Sequence, residues 1–191
     1  MPTLMIVIAS TRPGRVGLPV ARWFEQRARA HDGFDVEVVD LLELDLPFMD
    51  EPKHPRLREY AHQHTRDWSA QVDAADAFAF VMPEYNHGYS APLKNALDYL
   101  NQEWRHKPVG FVSYGGVSAG TRAAVALEPV LAALKMTPLF DAVHIPFVRQ
   151  FIGEDGEVHA NDVMEQAATT MLDELLRVSD ALSTLRVGCA A

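Results

Sequence analysis

At 191 residues, the chain is long enough for one domain with a sizeable core, which needs neither disulfides nor a metal to hold it. Its 48% hydrophobic and 23% charged content is that of an ordinary soluble protein, and no apolar run approaches the roughly 18 residues of a membrane span. A net charge of −9 argues against nucleic acid and anionic membranes as partners, since both are gripped by basic patches.

Met1-Pro2-Thr3 runs straight into an apolar segment with no basic leader, so no signal peptide is expected. The single cysteine, Cys189, excludes an intramolecular disulfide and suits a reducing, cytoplasmic setting. Leu4 to Ala9, rich in Met, Ile and Val, reads as a buried parallel strand. Pro19 to Ala30 places Val20, Phe24 and Ala28 at helical spacing and ends at Gly33. Phe34 to Leu42 alternates through Val36 and Val38, a second strand. After a loop with three prolines, from Pro47 to Pro55, a helix is predicted over Arg56 to Ala74, with Leu57, Tyr60, Ala61, Trp68 and Val72 as its core face. Ala77 to Met82 is a third strand, Ala91 to Asn101 a helix, and Val109 to Tyr114 a fourth strand. Ala119 to Leu134 is helical but contains Pro129, which predicts a kink near Leu127 or two short helices. Leu139 to Ile145 is a fifth strand, and Asn161 to Leu182 a long amphipathic helix.

Strands alternating with helices imply a parallel sheet covered on both faces. Five strands fit the flavodoxin-like order 2-1-3-4-5, a three-layer α/β sandwich. No repeat, low-complexity segment or linker interrupts it, so residues 1–185 are expected to form one domain, with 186–191 as a C-terminal tail.

Three loops at the carboxyl ends of strands carry the chemistry, because in an open α/β sheet ligands bind there. The first spans Ala9 to Leu18. It offers Ser10 and Thr11 hydroxyls, the guanidinium groups of Arg12 and Arg15, and a helix N-terminus, an arrangement suited to phosphate. It contains neither Gly-Lys-Ser/Thr nor G-x-G-x-x-G. The second, Pro83 to Ser90, has Tyr85 and Tyr89 for a flat ring, Asn86 for hydrogen bonds and Ser90 as an N-cap. The third, Ser113 to Arg122, has Gly115 and Gly116, where main-chain N–H groups can reach a ring edge. Together they point to one flat, phosphorylated cofactor. His62 and His64 are two apart and are expected to face apart on a helix; no zinc spacing occurs and no metal site is expected.

The combination Ser10-Thr11-Arg12, Pro83-Glu84-Tyr85-Asn86 with Leu93 to Asp98, and Gly115-Gly116 with Gly120 resembles the NADPH-dependent FMN reductase family. The resemblance implies a flavodoxin-like fold, bound FMN, reduction by NADPH or NADH, and a homodimer or homotetramer. It places the phosphate on Ser10 and Arg12, with main-chain help from Arg15, Val16, Gly17 and Leu18. It sets the isoalloxazine against Pro83, Glu84, Tyr85 and Asn86 on one side and Ser113, Tyr114, Gly115 and Gly116 on another. Two departures stand out. Ala9 precedes Ser10 where the family usually has glycine, and Val16-Gly17 replaces a second serine. The implied activity is an NAD(P)H oxidoreductase passing electrons to a small acceptor such as a flavin, a quinone, an azo or nitro compound or a metal oxyanion. Hydride transfer to a flavin needs no protein general acid, so no catalytic side chain is assigned. The alternative is a flavodoxin-type electron carrier without a dedicated substrate.

Overall fold

A computed structural model of the chain describes residues 1–187. It begins with β1 (Thr3–Ile8), α1 (Gly17–Ala30), β2 (Asp35–Asp40) and the single-turn α2 (Leu41–Leu44). There follow α3 (Gln63–Ala74), β3 (Ala77–Pro83), α4 (Ala91–Asp98) and β4 (Pro108–Tyr114). Then come α5 (Thr121–Ala133), the short β5 (Thr137–Pro138) and β6 (Val143–Ile145), and α6 (Asp162–Val187). The strands pair in parallel in the order β2-β1-β3-β4-β5, with β6 also on β4. This is the 2-1-3-4-5 order the sequence implies, with two strands sharing the fifth place.

Side-chain alternation sorts the sheet into two cores. Met5, Val7, Phe78, Phe80 and Phe111 pack with Trp68, Leu97 and Leu127 of α3, α4 and α5. Leu4, Ile6, Ala79, Val81 and Val112 pack with Phe24 of α1 and with Met171 and Leu175 of α6. Every residue of β3 and β4 is buried, which is why β3 is a continuous apolar run and β4 is interrupted only by Ser113, whose hydroxyl is hydrogen-bonded.

The helix expected over Arg56 to Ala74 is cut in two. Pro55–Leu57 forms a 3-10 turn, and Arg58 then adopts φ +53°, which no α-helix can pass through. Leu57 consequently lies 58% exposed instead of in the core. His62 sits before α3 with extended backbone, and this corrects the reading of the histidines. The His62 and His64 rings stack, with centroids 5.2 Å apart and planes 4° from parallel. Both reach Asp50, His64 through its carboxylate at 3.0 Å and His62 through its carbonyl at 3.2 Å.

The expected fifth strand, Leu139 to Ile145, is broken. Its register on β4 moves from Val109↔Pro138 to Val112↔Val143, so four residues face two and the excess bulges outward. Phe140, in the bulge, is 99% exposed. α5, by contrast, continues unbroken through Pro129. The carbonyl that Pro129 cannot serve belongs to Val125, and both residues lie on the solvent face, where water can take the donor's place. α6 outlasts its expected end at Leu182 and includes Arg186, whose guanidinium donates to Asp76 Oδ1 at 3.0 Å and to the His106 carbonyl at 3.2 Å. Residues 188–191 of the expected tail, Cys189 included, lie outside the described residues.

Candidate functional site

The loops that follow β1, β3, β4 and β6 meet at one edge of the sheet around a cavity of about 460 Å³. The first loop supplies Ser10, Arg12, Gly14, Arg15 and Val16. It leads into α1, whose first turn has neither a side-chain cap nor an acidic residue, so its positive end is left uncompensated. Arg15 does not offer a free charge. Its guanidinium makes a two-pronged pair with Asp40 at the end of β2 and also donates to the Ser10 carbonyl at 2.6 Å. Arg15 thus shapes the loop, while the Arg12 side chain has no partner among the described residues.

Gly17 and Leu18 do not line the cavity. Gly17 makes room for another residue: a Cβ there would lie 2.4 Å from the Tyr114 hydroxyl. That hydroxyl, at the end of β4, is buried and has no hydrogen-bond partner among the described residues. Burial pushes the Tyr114 phenol well above its ordinary pKa, so it stays a neutral donor. Leu18 packs on the α1–α6 core.

The second loop contributes Pro83, Glu84 and Tyr85. Tyr85 to Gly88 closes a tight turn through reciprocal 2.9 Å bonds between the two end residues, with Asn86 at φ +49° and His87 at φ +68°. Asn86 stands at this exposed tip and does not line the cavity. The Tyr85 hydroxyl reaches back to Ser10 Oγ at 3.3 Å. Ser90, expected as an N-cap, makes no cap bond; its Oγ donates instead to the Ala9 carbonyl at 2.7 Å and ties α4 to the first loop. Glu84 turns toward the third loop, where its carboxylate accepts from Ser118 Oγ at 2.8 Å and from the Arg122 main chain at 3.2 Å and guanidinium at 3.3 Å. Burial raises the Glu84 pKa, but these bonds outweigh it and hold the group below the usual carboxylate range.

The third loop lines the cavity with Gly115 and Gly116, joined by Tyr114. The Gly115 N–H is committed to the Ile145 carbonyl at 3.2 Å. Gly116 differs: its N–H has no main-chain partner among the described residues, and a Cβ built on it meets nothing within 4 Å. Ser113 stays behind the wall, its Oγ donating to the Ala119 carbonyl and bonded to His144 Nδ1, both at 2.7 Å.

A fourth wall was not anticipated. Phe147, Val148, Arg149 and Gln150 follow β6 and complete the lining. The Phe147 N–H donates to the Gly116 carbonyl at 3.1 Å, and the Val148 N–H to the Gly115 carbonyl at 3.4 Å. These four residues carry no recognisable motif. The available signal was topological: in a parallel sheet the fifth strand ends at the same edge as the others.

A parallel sheet in this order, with its strand-end loops gathered around a cavity, defines a flavodoxin-like α/β protein. The model of the NADPH-dependent FMN reductase family matches residues 2–150, and the chain belongs to that family. It is 39% identical over 149 residues to an NAD(P)H-dependent FMN reductase of Schizosaccharomyces pombe, covering 76% of this chain and 74% of the relative. An NAD(P)H-dependent FMN reductase of Saccharomyces cerevisiae is 34% identical over 180 residues, 86% and 94% of the two chains. Among solved structures, an NAD(P)H:acceptor oxidoreductase of Paracoccus denitrificans superposes with a TM-score of 0.75 at 19% identity, covering 95% of this chain and 98% of the other, a likeness of fold.

Proposed function

We propose that the cavity holds FMN and that the protein is an FMN-dependent NAD(P)H oxidoreductase. The observation that carries this reading is the chemistry of the lining. An uncapped helix N-terminus and the unpartnered Arg12 suit a phosphate at one end, and the open backbone at Gly116 suits a flat ring at the other. Bound FMN supplies acceptance of hydride from a nicotinamide and release of electrons to an acceptor. The chain's own part is to hold and orient. Arg12 and the first N–H groups of α1 neutralise the phosphate, and Ser10 and Tyr114 offer hydroxyl donors beside them. The N–H of Gly116, not bonded to backbone among the described residues, is the donor available to a ring edge that gains negative charge. No side chain is required to move a proton.

The acceptor is a small molecule. The chain is read as a homodimer or homotetramer in the cytoplasm. Support for assembly comes from the apolar side chains at the cavity mouth, where Tyr85 is 40% and Phe147 51% exposed. The reading is tested by the absorbance spectrum of the purified protein, mass spectrometry of the cofactor released by heat, and stopped-flow mixing with NADPH. A flavin spectrum, FMN as the released species and rapid bleaching are expected. FAD as the main species, or a colourless protein that takes up no FMN, would overturn it.

A further inference from the structure

The fourth wall carries a cation whose use is not explained by one cofactor phosphate. Among the described arginines, only Arg12, Arg56 and Arg149 lack a side-chain hydrogen bond or ion pair, and two of these three line the cavity. In a chain of net charge −9, with carboxylates in excess, an arginine left unpaired at a cavity marks a place for an external anion. Arg149 is also held in position. Its segment is fastened to the third loop by the Phe147 and Val148 N–H groups, Val148 is buried, and Phe147 is kept at φ +45°.

Arg12 and Arg149 enter the cavity from different walls. Arg12 follows β1 and Arg149 follows β6, and β3 and β4 stand between those strands. Three strand spacings of about 4.8 Å separate the points from which the two loops leave the sheet, roughly 14 Å in all. FMN has one phosphate, and the first loop is built for it. We infer that Arg149 binds the phosphate-bearing part of the nicotinamide dinucleotide and is the residue that admits this anionic co-substrate to an acidic protein. The inference rests on the FMN reading above and adds to it the second anion site.

The test compares Arg149→Ala and Arg149→Lys with the wild type, all loaded with FMN. In Arg149→Ala the KM for the dinucleotide is expected to rise about ten- to hundredfold, the size of one lost charge-assisted bond, with kcat within about twofold. Calorimetric titration with NADP⁺ and NAD⁺, which involves no turnover, should show the same loss, and Arg149→Lys should recover part of it. A loss for both nucleotides places Arg149 on the shared pyrophosphate; a loss for NADP⁺ alone places it on the 2′-phosphate. The melting temperature of the apoprotein should stay at the wild-type value, because Arg149 is exposed and has no side-chain partner among the described residues, and FMN affinity should change far less than nucleotide affinity, because the FMN phosphate is assigned to Arg12 and the start of α1. Unchanged nucleotide affinity, or a fall in FMN affinity of the same size, would overturn the inference. Failure of the FMN reading looks different: the wild type itself would hold no FMN or would not be reduced by either nucleotide.

Discussion

Single residues separate the cavity's architecture from its binding. A Cβ at Gly116 meets open space, and the residue is not among the positive-φ glycines, so the backbone accepts a side chain there without strain. Gly116→Val is therefore expected to leave the apoprotein's melting temperature within about 2 °C while weakening FMN binding at least tenfold. Apoprotein calorimetry beside a flavin fluorescence titration checks both halves. Tyr114 makes the opposite case. Its hydroxyl is buried without a partner, so Tyr114→Phe should stabilise the apoprotein by about 1 kcal/mol, measured by urea unfolding. Wild-type FMN-loaded protein should regain part of that difference if the hydroxyl bonds the cofactor. That Ser10 and Arg12 would stand at the cavity was legible in the sequence, because they sit together in one loop at the end of an apolar strand. The structural duty of Arg15 was not, because its partner Asp40 is 25 positions away and meets it only once β1 and β2 pair.

Between elements, a few polar bonds fix how the loops stand. The Arg15–Asp40 pair joins the first loop to the end of β2, with both side chains about nine-tenths buried. Asp40→Ala leaves a guanidinium without its counter-charge and should cost about 3 kcal/mol of stability, checked by urea unfolding of the apoprotein. Glu84 links the second loop to the third, and its lowered pKa fixes the pH window. A carboxylate depressed in the folded state contributes fully above its unfolded pKa of about 4.3 and loses that contribution as pH falls through the folded value. The melting-temperature gap between wild type and Glu84→Gln is thus expected to hold steady above about pH 5 and to close on further acidification. The elements themselves were legible where burial was uniform: β3 and β4, covered on both faces, announce themselves as apolar runs. They were not legible where backbone conformation overrides pattern. The apolar spacing runs on through Arg58 and through Phe140, and the left-handed turn at the one and the bulge at the other interrupt it.

At the scale of the molecule, the cavity is lined in part by Tyr85 and Phe147, both of them exposed. Light scattering is expected to give a dimer or tetramer at micromolar concentration, and a single-chain mass would contradict the assembly we propose. Replacing Tyr85 and Phe147 with serine should shift the equilibrium toward the single chain. The loops around the cavity are also tied to one another across the sheet edge. Arg15 on Asp40, Ser90 on the Ala9 carbonyl and Glu84 on Ser118 set them by contacts internal to the chain. Much of the cost of ordering these loops is therefore met in folding the chain, and the free energy of binding is left to the contacts a ligand makes.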